Sequence, residues 1–213
     1  MNGDINGEEG TNAEKPSQSK LFEDMENPEE LKKMAEEVSN IFEAKRNEDL
    51  KKVKKFFQLY KFSSKGLDIF IKCLVDYIKK SIREISYKSN NPKILIQEII
   101  NFKKEINNLV AECFENIFQE EINTSFRETD FGFYSLNLSK YLDIYMKKEF
   151  QGKSDEEIDN ILNDAIGLYK YLGRPILFQK EAYKRMAYRL LKQESLSLNL
   201  EKKLIDKLKL KLL

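Results

Sequence analysis

Residues 165–192 read A-I-G-L-Y-K-Y-L-G-R-P-I-L-F-Q-K-E-A-Y-K-R-M-A-Y-R-L-L-K, and 193–209 continue Q-E-S-L-S-L-N-L-E-K-K-L-I-D-K-L-K. Two helical patterns meet at the Gly173-Arg174-Pro175 break, where Pro175 ends any helix before it and suits the first turn of the next. Beyond the break, Phe178, Tyr183, Met186, Ala187, Leu190 and Leu191 recur at helical spacing. The spacing predicts a helix over about 175–193 and another over about 199–213.

The same periodicity runs outward through the chain. Asn27-Pro28-Glu29-Glu30 starts a helix that runs to about Arg46, with Asn27 able to cap and Pro28 at the first helical position. A second begins near Asn47-Glu48-Asp49-Leu50. After Ser63-Ser64-Lys65-Gly66, the residues Leu67, Ile71, Leu74, Ile78, Ile82 and Ile85 form one apolar stripe. Asn91-Pro92 opens another, carried by Leu95, Ile99, Phe102, Ile106, Leu109, Cys113 and Ile117, about six turns long. Residues 119–137 read as a short helix and an aromatic-rich turn near Gly132. Tyr141, Leu142, Tyr145, Met146 and Phe150 mark a helix ended by Gln151-Gly152. Ser154-Asp155-Glu156-Glu157 is a capping box, opening a helix with Ile158, Leu162, Ala165, Tyr169 and Leu172 inward. No strand alternation persists, so the expected class is all-α. Residues 1–27 are polar and acidic, too poor in large apolar groups to offset ordering their backbone, and are expected to be disordered.

Composition narrows the function classes. The chain has 213 residues, 41% hydrophobic and 34% charged, with a formal net charge of +1, so bulk charge gives no argument for nucleic acid. Histidine is absent, which removes the commonest general base and zinc ligand. Cys73 and Cys113 stand apart on apolar faces and read as buried free thiols in a reducing compartment. The amino terminus lacks the pattern of a signal peptide, and no apolar run reaches membrane-spanning length. No phosphate-cradling glycine loop is present, and the carboxylates fall on helix surfaces. The expectation is no catalytic, cofactor-binding or metal site, and no small-molecule substrate. Lys51-Lys52 and Lys54-Lys55 read as a solvated helix face.

The segments occur in an order that resembles the cullin family. Phe178, Tyr183, Met186, Ala187, Arg189, Leu190 and Leu191 are similar to the family's F-x-x-x-Y-x-x-x-L-A-x-R-L-L. Ser195, Ser197, Glu201, Lys202, Ile205, Lys207, Leu208 and Lys209 match its Ser-x-Ser loop and E-K-x-x-I-x-K-L-K. Upstream, N-E-D-L at 47–50 leads to Phe57, Leu59, Gly66 and Leu67. Asn91-Pro92 with Ile96-Gln97 looks like D-P-x-x-x-V-Q, Ser139 to Tyr145 like P-E-x-L-x-x-Y, and Tyr169-Lys170-Tyr171 like F-K-Y. Coverage is about residues 31–213. The chain departs from the pattern at Lys147, where the family has an acid, and at Arg174-Pro175-Ile176-Leu177, where acids usually precede Phe178.

The resemblance implies a cullin-repeat-like helical bundle over 28–150 and the start of a four-helix bundle over 151–213. It implies a non-catalytic scaffold segment of a cullin-RING E3 ubiquitin ligase, acting in ubiquitin-dependent degradation, with RING and adaptor proteins as partners, in the cytoplasm and/or nucleus. The family's adaptor-binding repeat, RING-holding segment and modified lysine have no counterpart in these residues. Two rivals are a stand-alone helical interaction module, using residues 196–213, and a basic-helix nucleic-acid binder. The stripe of Phe178, Ala182, Tyr183, Met186, Ala187 and Leu190 is read first as helix core, each large side chain worth on the order of 1.5–3 kcal/mol on burial. Arg189 beside it is read as a salt bridge to an acid such as Glu157 or Glu181, with partner contact the sharper alternative. Leu204, Ile205, Leu208, Leu212 and Leu213 form an apolar strip expected to be incompletely covered. Arg189, Leu204, Leu208 and Leu212 are accordingly the candidate partner-facing residues.

Overall fold

The computed structural model describes residues 27–44, 47–114, 117–129 and 132–212, with the side chains of 47–50 and 211–212 set aside. Among them are nine α-helices and no strand: α1 (Pro28–Ala44), α2 (Asn47–Tyr60), α3 (Ser64–Lys88), α4 (Pro92–Cys113), α5 (Gln119–Thr129), α6 (Phe133–Ile144), α7 (Asp155–Gly167), α8 (Pro175–Lys192) and α9 (Leu198–Leu212). A π-helical turn, Tyr145–Glu149, continues α6, and a 3-10 turn, Tyr169–Tyr171, follows α7. The expected acidic leader and Leu213 lie outside the described residues, as does the chemistry of the Leu212 side chain.

Local chemistry sets the helix starts. The Asn27 and Asn91 side chains accept the Glu29 and Lys93 N–H groups at 2.9 Å, each ahead of a proline. Ser63 Oγ accepts the Gly66 N–H at 3.1 Å. Ser154 and Glu157 close a capping box: the Glu157 N–H reaches Ser154 Oγ at 3.2 Å, and the Ser154 N–H reaches Glu157 Oε2 at 2.9 Å. Gly66 must be glycine for space, because a Cβ there would lie 2.8 Å from Tyr60 Cβ. Gly132 turns the chain into α6 at φ 97°, a left-handed conformation that disfavours side chains.

Packing follows a next-but-one rule. α1 lies on α3 and α3 on α5, forming one row; α2 lies on α4, α4 on α6 and α6 on α8, forming a second. α9 returns onto α7. Between the rows runs a continuous apolar core. One end is aromatic: Phe57 meets Phe70, Phe114 and Phe118 at centroid separations of 5.2–5.9 Å, edge to face. Ile82, Ile96, Ile99, Leu138, Leu168 and Leu172 carry the core on towards α7.

Three expectations need correction. α4 ends at Cys113, not near Ile117, because Phe114 leaves the helix to join the aromatic cluster, and Ile117 is exposed. The aromatic segment at 133–137 is the first turn and a half of α6, not a turn. Leu204 and Leu208, expected in an uncovered strip, are buried, since α7 supplies the apolar face that covers them.

Candidate functional site

The place where charge enters the core is the junction of α6, α8 and α9. α8 packs on α6 through Phe178, Ala182, Arg185 and Arg189, at steps of four, three and four along one face. Of the stripe read as core, Phe178 and Ala182 do face α6, and the rest is displaced. Phe178 is buried, but Tyr183, Ala187 and Leu190 are exposed and Met186 is half-buried. The inward face ends on a guanidinium instead, with Arg189 only 1% exposed.

Arg189 is held by two carboxylates. Its Nε and Nη2 donate to Glu201 Oε1 and Oε2, both at 2.8 Å, a bidentate pair in which Glu201 is as buried as the arginine. Its Nη1 donates to Asp143 Oδ1 at 2.7 Å. The Ser195 hydroxyl donates to Glu201 Oε1 at 2.8 Å. Asp143 Oδ2 also faces Lys147 at 3.3 Å and Arg185 at 4.0 Å, and Lys147 reaches Glu194 at 2.9 Å. Burial works against the charge on Arg189, but the bonds to Glu201 and Asp143 outweigh it and hold its proton affinity above the ordinary value. The Glu194 bond, helped by the Asp143 charge, outweighs desolvation and leaves the Lys147 ammonium raised as well.

The favoured reading of Arg189, an intramolecular salt bridge, thus has different partners from those named. Glu157 serves the capping box, and Glu181 lies 3.9 Å from Arg185. Asp143 and Glu201 both sit inside the quoted motifs, yet no local signal pairs them with a residue 46 and 12 positions away.

The backbone completes the junction. In the π-helical turn the Phe150 N–H reaches Tyr145 O at 3.2 Å instead of Met146 O. The Met146 carbonyl is left to accept the Leu196 N–H at 3.1 Å, tying the α8–α9 loop to the end of α6. At the C-terminus of α8, Gln193 adopts a left-handed conformation at φ 57°, and the Glu194 N–H returns to Arg189 O at 2.9 Å. Farther out, Asp159 on α7 pairs with Lys203 and Lys207 of α9 at 2.9 and 2.8 Å.

The arrangement is a clamp: every charged group in it is spent on another residue of the chain. Among the described residues no group of three or more His, Cys, Asp or Glu side chains is placed to hold a metal ion. Nor is any helix there long and apolar enough to cross a membrane. The outward side of α8, by contrast, presents Ile176, Tyr183, Tyr188 and Leu191, the last 83% exposed.

The family model described as the cullin alpha solenoid domain matches residues 11–212. Cullin-2 of Caenorhabditis elegans is 25% identical over 176 residues, covering 76% of this chain and 22% of the relative. Cullin-3 of Dictyostelium discoideum is 25% identical over 182 residues, 81% of this chain and 23% of the relative. Cullin-3B of Arabidopsis thaliana is 29% identical over 130 residues, 57% and 17% respectively. The chain therefore spans less than a quarter of the length of these relatives.

Proposed function

As the chain belongs to the cullin family, we propose that it is a stiff, non-catalytic spacer within a cullin-RING E3 ubiquitin ligase, acting in ubiquitin-dependent degradation. Such a spacer keeps a bound substrate and a loaded ubiquitin carrier at a fixed separation, so that an acceptor lysine meets the thioester at high effective concentration. The role demands resistance to bending at each helix–helix joint and asks for no reactive group. The observation that carries the reading is the Arg189–Glu201–Asp143 clamp, which ties α8 and α9 to α6. A buried ion cluster is a weak source of net stability but a strong penalty on any geometry that breaks it. Its use here is to exclude alternative hinge angles.

The partners this reading implies are RING and adaptor proteins, in the cytoplasm and/or nucleus. A second reading, a stand-alone helical interaction module, has one observation in its favour: the apolar outward side of α8. Tagging the protein at its native locus and identifying what co-purifies separates them. RING, adaptor or ubiquitin-pathway subunits support the ligase spacer. Their absence beside other reproducible partners supports the stand-alone module and overturns the spacer.

A further inference from the structure

The outward side of α8 carries a seam that the clamp does not use. Ile176, Lys180, Tyr183, Ala187 and Leu190 follow one another at steps of four, three, four and three, on the side of the helix away from the Phe178–Arg189 face that meets α6. All five are exposed, Ile176 at 78% and Tyr183 at 42%. None of them belongs to the clamp, so what binds there is independent of the spacer role.

The spacing selects the shape that fits. Steps averaging three and a half residues form the seam that one helix offers to another lying almost along it. From Ile176 to Leu190 the seam is about 21 Å long, room for about four turns of a partner helix. Ala187 lets the partner's backbone come close, while Ile176, Tyr183 and Leu190 supply apolar surface on either side of it. The broad apolar face with which a helix lies on a lipid surface is absent here, because Lys180 interrupts the seam.

Charge selects the chemistry. Lys180 lies within the seam and Lys184 beside it, one turn on, and among the described residues neither ammonium is paired with a carboxylate. The acid that α8 itself carries, Glu181, is turned towards Arg185 at 3.9 Å. A wholly apolar occupant would bury the Lys180 ammonium with nothing to pair it, which is costly. A second copy of the chain docked through this same face would bring lysine against lysine. A carboxylate-bordered helix meets both demands, covering the apolar groups and pairing the cations.

We propose that the outward seam of α8 binds an amphipathic helix of a partner chain, one with an apolar stripe at three- and four-residue steps and carboxylates along the border that faces Lys180 and Lys184. The probe is a fluorescein-labelled peptide of three heptads, with leucine at the first and fourth positions and glutamate at the fifth and seventh, titrated with the full chain and read by fluorescence anisotropy. It binds with a Kd in the micromolar range, and the same peptide with lysine in place of glutamate binds at least about tenfold more weakly. Lys180→Glu with Lys184→Glu reverses that preference. Ile176→Ser with Tyr183→Ser, surface changes that leave the Phe178–Arg189 face and the urea midpoint intact, abolishes binding. No binding of the glutamate peptide at about 1 mM overturns the proposal. Equal binding of the two peptides does so too, as does binding that survives Ile176→Ser with Tyr183→Ser. Dimerisation of the chain, or its capture on phosphatidylserine vesicles, that the same variant abolishes also overturns it, since a second copy or a lipid surface then covers the seam.

Discussion

Replacing Arg189 by methionine keeps most of the volume of the side chain and removes its charge, leaving the Glu201 carboxylate in the core with only the Ser195 hydroxyl as a partner. Asp143, half-buried, retains Lys147 and Arg185 on its outer oxygen. Three charge-assisted hydrogen bonds disappear, all at 2.7–2.8 Å. Breaking a buried pair by deleting one partner costs about 3–5 kcal/mol, mainly the penalty on the stranded charge and not the worth of the pair. For a chain of this size that lowers the melting temperature by roughly 6–20 °C. The assay is urea unfolding followed by far-UV circular dichroism, with the double variant Arg189→Met with Glu201→Met as control. The double variant should recover to within about 1–2 kcal/mol of the parent, because the stranded carboxylate is gone as well and the site is refilled with apolar volume. A loss below about 1 kcal/mol in the single variant, or a double variant worse than the single, refutes the reasoning.

Gly66→Ala forces a methyl group into Tyr60 at 2.8–2.9 Å, with a backbone oxygen among the atoms met, and should cost about 1–3 kcal/mol in the same unfolding assay. The Glu157 carboxyl is held below its ordinary range by the Ser154 backbone and hydroxyl, with Lys153 adding to them. A carboxyl depressed in the folded state contributes stability above its unfolded value and loses it as pH falls through the folded value. The melting-temperature gap between parent and Glu157→Gln should therefore hold at neutral pH and close below about pH 4. Burial pushes the Cys73 thiol up and the Cys113 thiol up to about 11, so a disulfide reagent at mildly alkaline pH should leave both unmodified until urea unfolds the chain.

The all-α class and most helix starts were legible because both rest on local chemistry. Asn-Pro pairs, the Ser154 capping box and the three- and four-residue apolar steps each act within a turn or two. What escaped was decided at long range. α8 has apolar residues on two sides, and periodicity cannot say which side meets α6. The inward one is chosen by Arg189, a residue type that a hydrophobic pattern assigns to solvent, through partners on α6 and α9. The π-helical turn at Tyr145–Glu149 has no sequence signature, although it frees the Met146 carbonyl for the α8–α9 loop. Leu204 and Leu208 looked uncovered because the apolar strip of α7 was assigned inward without an element to meet it, when α9 returns along that side. The motif residues Asp143, Arg189 and Glu201 were all visible, but their convergence was not.

Stiffness across the joint is the property on which the spacer reading stands, and a pair of spin labels measures it directly. Lys72→Cys on α3 and Lys202→Cys on α9 are both exposed and lie either side of the clamp, while the native thiols stay silent in the core. Pulsed electron–electron double resonance on this pair should return one narrow distance distribution, broadened when Arg189→Met is added. A broad or multiple distribution with Arg189 in place would contradict a rigid joint, and with it the proposed role.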